Sequence, residues 1–281
     1  MLSTRTCPIR LAPLALALLC PVPAQADLMP HRAVYDIKLE RADEAGNIAS
    51  FSGRMVVEVL ATDCEGLATN SRYVFRSANS EGATLVTDLR TAQWESRDAN
   101  TFRFTNRRYD DANLTEETNG NAERTGEGVE IAITMPQRNS LEFGEDVMFP
   151  TQHLNRLIQA GRTGQRTLSA RIYEGSDPGT QIYDTFAVIG PKRLDRHGSG
   201  LARAKLEDVP HWPVTVAYFH GEGSENEDET VGGEEEPIYS ISSTLYENGV
   251  SSDILLDYGN FSLRGNLSAL TFPDQGRCSD R

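Results

Sequence analysis

The sequence predicts a mainly β fold, a single antiparallel sheet of about a dozen or more strands accompanied by one α-helix. Apolar and polar residues alternate with a period of two over many short segments, as strands with one buried and one wet face require. Clusters of Gly, Asn, Asp and Pro separate these segments at short intervals. One segment departs from this period, and its apolar residues recur at helical spacing.

The first half of the chain reads as a series of strands. In residues 31–40 the apolar positions that share one face are Ala33, Tyr35, Ile37 and Leu39. The turn-forming cluster at 43–47 ends this run. Further strands are predicted at 48–60, 67–76, 83–89, 92–97, 101–108, 112–118 and 129–134. Short polar turns between them favour an antiparallel meander.

The helix is predicted to follow Phe149-Pro150. Thr151 is a candidate N-cap, and Gly161 and Gly164 are candidate ends. Its apolar stripe consists of Leu154, Leu157 and Ile158. Because the helix has one apolar stripe, we expect it to cover the sheet or to plug its open face.

Strands return after the helix. They are predicted at 167–174, 180–190, about 200–207, 213–220, 237–247, 250–258 and 261–272. Residues 174–179 read as a hairpin loop, and Asn248-Gly249 is a strong two-residue turn signal. Residues 221–236 hold eight acids and no base, which predicts a solvated loop. This loop lacks the residue pattern of a calcium site.

Residues 1–26 are typical of a signal peptide. Arg5 and Arg10 provide a basic start, residues 11–20 an apolar stretch, and Ala24-Gln25-Ala26 a small-residue cleavage site. We expect cleavage after Ala26, export to the periplasm, and a mature chain of residues 27–281 forming a single domain. No later apolar run is long enough for a transmembrane helix, so no transmembrane span is predicted in the mature chain.

Charge argues against a nucleic-acid partner. The chain has 27 Lys plus Arg against 41 Asp plus Glu, a net charge of -14. Removing residues 1–26, which contain two Arg and no acid, would leave -16. Binding to a phosphate backbone needs clustered positive charge, so nucleic acid is excluded as the expected partner.

Two cysteines would remain in the exported chain, Cys64 and Cys278. An oxidising compartment favours one intramolecular disulfide between them. The alternatives are a reactive thiol and a metal site, but the sequence has no CxxC spacing and no flanking His to support a metal site.

Catalytic motifs are missing from the sequence. The five His are not in a zinc-binding helix pattern, and neither a Gly-x-Ser-x-Gly elbow nor a phosphate-binding Gly-rich loop occurs. His153 and Asp184 are the best-placed candidates for a general base, although a structural role explains each more simply. We therefore predict no catalytic residue, no metal site and no cofactor.

Aromatic residues in the predicted strands give a lead toward binding. The candidates for an inner face are Tyr35, Tyr73, Phe75, Phe102, Phe104, Tyr183, Phe186 and Tyr218. They pack as core against the helix in one interpretation. In the other, one helix cannot fill so large a curved sheet, and an apolar groove is left for a lipid, a lipidated tail or a peptide.

Several segments in order along the mature chain resemble the EipB family of cell-envelope-integrity proteins. They are His31-Arg32-Ala33-Val34-Tyr35-Asp36, Cys64-Glu65-Gly66, Phe149-Pro150-Thr151, Tyr183-Asp184, Leu245-Tyr246-Glu247-Asn248-Gly249 and Asp257-Tyr258. The resemblance implies a periplasmic protein of Gram-negative bacteria, folded as a spiral-like, broken β-barrel partly wrapped around one helix. It also implies an internal disulfide, a role in envelope stress resistance, and no established catalytic residue.

These observations predict a periplasmic maintenance protein that acts by binding a lipid, peptidoglycan or an envelope protein. The alternative is an envelope hydrolase acting on a glycan or lipid through acids that the sequence does not single out. Two carboxyls about 5 to 10 Å apart in a deep cleft would favour that alternative.

Overall fold

The computed structural model describes residues 28–43, 47–62, 65–176, 178–194, 201–221 and 236–273. In these ranges the chain forms fifteen strands and two helices. The helices are α1 (Pro150–Thr163) and α2 (Leu201–Ala204). The strands are β1 (His31–Ala42), β2 (Ser50–Thr62), β3 (Gly66–Ala78), β4 (Thr84–Ser96), β5 (Thr101–Asp110), β6 (Asn113–Arg124), β7 (Val129–Met135), β8 (Asn139–Phe143), β9 (Val147–Met148), β10 (Thr167–Ile172), β11 (Tyr183–Ile189), β12 (His211–His220), β13 (Tyr239–Tyr246), β14 (Ser251–Asp257) and β15 (Phe261–Thr271).

All fifteen strands belong to one sheet, which closes into a nearly complete barrel. Its order runs β8 to β1, then β15 to β9. The first and last strands, β1 and β15, pair with each other, so the two halves of the chain join along this ladder. Strands β8 and β9 form the two edges and leave a seam. The pairing is antiparallel except between β9 and β10, which are parallel. The predicted mainly antiparallel β fold of a dozen or more strands is confirmed.

Alternation in the sequence sets which side chains enter the barrel. In β1, Ala33, Tyr35 and Ile37 are buried, as the period of two predicts. The register then places Tyr35 opposite Met55 of β2, and Met55 opposite Tyr73 of β3. These three side chains form a row across the inner face and contribute to the site described below.

Three predicted strands differ from the structure. The predicted strands at 83–89 and 92–97 merge into one continuous strand, β4 (Thr84–Ser96), since the intervening residues pair with β3 without interruption. Residues 201–204, predicted as a strand, form the short helix α2. Ala202 and the nearby Leu206 are both buried in a cluster with residues of β1 and β15. This segment therefore packs against the barrel strands and adds no strand to the sheet.

Helix α1 begins differently from the prediction. Its N-cap is Phe149, followed by Pro150 in the first turn, and no side chain of the helix caps it. The Glu95 carboxylate of β4 accepts hydrogen bonds from the backbone N–H groups of Thr151, at 2.7 Å, and Gln152, at 2.9 Å. The predicted cap by the Thr151 side chain is therefore wrong, because a carboxylate from the sheet takes that role.

The C-terminal end of α1 agrees with one of the two predicted helix ends. Gly164 has a φ of 78° and terminates the helix in the left-handed conformation. Gly161 lies inside the helix, against the indole ring of Trp212. A Cβ atom at residue 161 would lie 2.7 Å from that ring, so glycine allows the helix to approach β12 closely.

The helix packs on one side of the barrel interior. Leu157, Ile158 and Ala160 belong to a buried cluster with residues of β11 to β13, among them Trp212 and Val216. Because α1 leans toward these strands, its N-terminal half leaves space between itself and the opposite wall of β1 to β4.

Some predictions concern residues outside the described ranges. They are the signal peptide at 1–26, both cysteines Cys64 and Cys278, and most of the acidic loop at 221–236. Within the described ranges no helix is long and apolar enough to cross a bilayer.

Candidate functional site

An apolar cavity of about 310 Å³ lies inside the barrel between α1 and the sheet. Strands β1 to β4, β13 and β14 form its wall, and the first turns of α1 cover it. Its apolar lining includes Met55, Val57, Leu67, Leu154, Ile241 and Leu256. The volume is at the lower end of the range of small-molecule sites, which is about 300 to 1,000 Å³.

A polar cavity of about 240 Å³ adjoins it. The two share Tyr73, Gln93 and Pro150 in their walls. The remaining lining of the polar cavity consists of Ser71, Thr91, Asn106, Glu174 and Ser176. The interior thus offers an apolar compartment and a hydrogen-bonding compartment next to each other.

The segment after β10 enters the barrel and carries Glu174 into the polar cavity. The side chain of Gln93 donates a hydrogen bond to the Glu174 carbonyl oxygen at 3.0 Å. Asn106 donates to the Gly175 carbonyl oxygen at 2.6 Å. Gly175 has a φ of 66° and packs so closely on Phe104 that a Cβ atom would meet the ring. Two amide side chains and one glycine therefore fix the backbone at Glu174.

Glu174 is an ionisable group in an unusual environment. Burial raises the pKa of its carboxyl to about 7. Burial raises the pKa of Tyr218 and Tyr239, and the nearby Glu174 carboxyl raises both further. Among the described residues, no hydrogen bond or ion pair engages this carboxyl. It thus remains available to a group that enters the cavity.

Aromatic rings form an arc whose first member, Tyr183, has its hydroxyl 3.2 Å from the Ser176 hydroxyl in the polar cavity. We use the name aromatic arc for Tyr183, Tyr218, Tyr239, Tyr258 and Phe261. Successive ring centroids are 6.1, 4.4, 5.8 and 4.7 Å apart. The stacking and edge contacts hold the rings in fixed orientations across β11 to β15.

The structure distributes the predicted aromatic residues over several environments. Tyr35 and Tyr73 line the apolar cavity. Phe102 and Phe104 are buried in a core cluster with Phe149 and Tyr173, so they pack as core. Phe75 stacks on Phe51 with centroids 4.7 Å apart. Tyr183 and Tyr218 belong to the aromatic arc.

Phe186 is the predicted aromatic residue that lies outside the barrel interior. It lies on the outer face of the sheet and is 43% exposed. The inward positions of β11 are Thr185, Ala187 and Ile189, which are buried, so the pleat turns Phe186 outward. Its assignment to an inner groove is corrected accordingly.

The two candidate general bases line neither interior cavity. His153 is buried in α1, and burial lowers the pKa of its imidazole to about 4. Asp184 is on the outer face and lies 3.6 Å from Arg171, with half of its side chain exposed. In the described part of the chain, no group of three or more His, Cys, Asp or Glu side chains is arranged to hold a metal ion.

Sequence reasoning missed Glu174 and its two supporting amides. The pattern at 174–179 predicts only a hairpin loop, and Gln93 and Asn106 lie within the predicted strands 92–97 and 101–108. No local signal marks them, because they are brought together only by contacts between β4, β5 and the segment after β10.

The fold and this interior define a class: barrel-like β proteins with one helix in the barrel and a cavity beneath it. The family model described as EipB-like matches residues 23–274, and the chain belongs to that family. It is 35% identical over 250 residues to the cell envelope integrity protein EipB of Brucella abortus (strain 2308), covering 89% of this chain and 86% of that protein.

A solved structure gives the same result for the fold. It is the crystal structure of a β-barrel-like protein of a domain of unknown function from Brucella abortus. The TM-score is 0.79 with 34% sequence identity, covering 89% of this chain and all of that chain. Neither relative is named as an enzyme.

Proposed function

We propose that this protein maintains the bacterial cell envelope from the periplasm by binding an apolar chain, such as that of a lipid, without chemical turnover. The observation that carries this proposal is the apolar cavity between α1 and β1 to β4. A cavity with this lining gains free energy when it exchanges water for hydrocarbon, at about 25 cal/mol per Å² of apolar surface buried.

The comparisons support the location and the role. A relative that is 35% identical is named a cell envelope integrity protein. The basic start, apolar stretch and small-residue cleavage site at residues 1–26 support export. A periplasmic protein that handles a lipid would encounter it while the envelope is assembled or repaired.

The lining favours binding over hydrolysis. Among the described residues that line the two cavities, Glu174 is the single carboxylate. A glycosidase needs two carboxyls about 5 to 10 Å apart, so this lining offers no such pair. The hydrolase alternative therefore has less support than the binding role.

The direct experiment is native mass spectrometry of the mature protein purified from its own periplasm. We expect a co-purifying lipid. A co-purifying glycan fragment or envelope protein would instead support peptidoglycan or a protein as the partner, and would contradict the proposal.

A pair of variants tests whether the apolar cavity is needed for envelope integrity. Val57 lines the apolar cavity, whereas Val188 is 51% exposed on the outer face of β11. Val57→Trp is expected to displace the lipid and to leave a deletion strain sensitive to detergent, whereas Val188→Trp should restore resistance. Equal complementation by two folded variants would contradict the proposal.

A further inference from the structure

The interior carboxyl is not explained by the binding of an apolar chain. A charged group inside a protein is unfavourable unless it is paired and hydrogen-bonded. Yet the fold positions Glu174 with Gln93, Asn106 and a close-packed glycine. Such support is typical of a residue that contacts a ligand, because a ligand-binding group must hold its position before the ligand arrives.

The charges around the cavities limit the kind of ligand. Neither lining contains Lys or Arg among the described residues. The imidazole of His31, in the apolar cavity, hydrogen-bonds through Nδ1 to the Met29 carbonyl oxygen at 2.7 Å. Burial lowers the pKa of His31, which favours the neutral imidazole. An anionic headgroup would find no positive partner here, whereas a cation would find Glu174.

Tyrosine rings at the cavities also favour a positively charged ligand. Tyr73 lines both cavities, and the Tyr183 hydroxyl is 3.2 Å from the hydroxyl of Ser176 in the wall of the polar cavity. Aromatic faces attract an ammonium group, and the attraction increases when the cation is desolvated. A carboxylate together with tyrosine rings is a suitable environment for an amine.

We propose that the interior binds an amphipathic amine, whose ammonium group pairs with the Glu174 carboxylate and whose apolar chain occupies the cavity between α1 and β1 to β4. This inference rests on the proposed function, since it uses the same apolar cavity. The shared wall of Tyr73, Gln93 and Pro150 allows one molecule to reach both compartments.

The test uses three probes of equal chain length: dodecylamine, dodecanol and dodecanoate. Their affinities for the mature protein are measured by displacement of a fluorescent apolar dye, at concentrations at which each probe is dissolved and monomeric. We expect dodecylamine to bind at least about tenfold more tightly than dodecanol, as a charge-assisted pair in a cavity provides. Dodecanoate should bind more weakly than both.

Overall negative charge could also attract an amine, so the variants must separate the two effects. At pH 8, above the pKa of about 7 of the Glu174 carboxyl, Glu174→Gln and Glu142→Gln each remove one negative charge, but Glu142 is exposed on β8, away from the cavities. We expect Glu174→Gln to abolish the preference for dodecylamine over dodecanol and Glu142→Gln to preserve it. Circular dichroism confirms that each variant is folded.

The outcomes are distinguishable. Equal affinities for the amine and the alcohol would overturn the amine inference and leave the proposed function intact. An amine preference that survives in Glu174→Gln would also overturn it, because the preference would then come from net charge. If dodecanoate bound most tightly of the three probes, the amine inference would also be overturned. Failure of all three probes to displace the dye would count against both proposals.

Discussion

Replacing Glu174 with Gln is expected to stabilise the protein at pH 8 much more than at pH 5. The pKa of this carboxyl is about 7 in the folded protein, against an ordinary value of 4.5. The folded chain therefore keeps a proton over a range in which the unfolded chain has lost it. The free energy of unfolding consequently falls as the pH rises from about 4.5 to about 7, and this loss persists above pH 7.

The size of the effect follows from the shift. The difference between 4.5 and about 7 corresponds to roughly 3 kcal/mol when the titration is complete. Glu174 is half-buried, and the resulting solvent screening lowers this to roughly 2 kcal/mol at pH 8, whereas the effect at pH 5 is less than about 1 kcal/mol. For a chain of this size, 2 kcal/mol raises the melting temperature by about 4 to 8 °C.

The assay is thermal unfolding followed by circular dichroism at both pH values. Glu142→Gln is the control, because it removes the same charge from an exposed position on β8 and should change the melting temperature little at either pH. Glu95, whose pKa is also raised to about 7, titrates in both the parent and the variants, so its contribution cancels in the comparison. A Glu174→Gln shift of equal size at pH 5 and pH 8, or no shift at all, would refute the reasoning.

Three other predictions concern stability. Glu95→Ala removes the acceptor for two backbone N–H groups of α1 and should lower the free energy of unfolding by about 1 to 3 kcal/mol in urea denaturation; an unchanged midpoint would exclude the capping role. Gly161→Ala places a Cβ 2.7 Å from an indole ring and should cost about 1 to 3 kcal/mol in the same assay, whereas Gly126→Ala, with open space around it, should cost less than about 1 kcal/mol; similar losses would contradict the packing argument. For the expected disulfide, Cys64→Ser or Cys278→Ser should melt several degrees below the oxidised parent, and thiol titration of that parent should find no free thiol; equal melting temperatures would remove the case for a stabilising bridge.

Much of the fold was predictable because strands and helices leave local periods in a sequence. The alternation in β1, the helical spacing after residue 150 and the left-handed Gly164 all follow from backbone geometry within a few residues. The predictions were wrong where a group distant in the sequence made the contact that the local pattern assigned to a nearby residue. The carboxylate of Glu95 caps α1 from β4, although Thr151 has the usual chemistry of a cap.

The site was less predictable than the fold. The expectation of an apolar space under one helix came from counting strands, and the structure has such a space. Among the predicted aromatics, Phe186 is directed outward because the pleat of β11 places its inward side chains at odd residue numbers. Glu174 could not be identified, because one carboxylate among 41 acids carries no local signal of burial.

The amino-acid sequence alone determined that the chain builds a β protein with one amphipathic helix, and its resemblance to a known family determined the class. Each of these depends on residues that are close in the sequence or on segments that can be compared directly. Only the tertiary structure decided that α1 leans toward β11 to β13, that a cavity remains on its other side, and that Glu174 enters it. The physical reason is that a cavity is the volume left between packed elements, and its size and polarity depend on how distant segments meet.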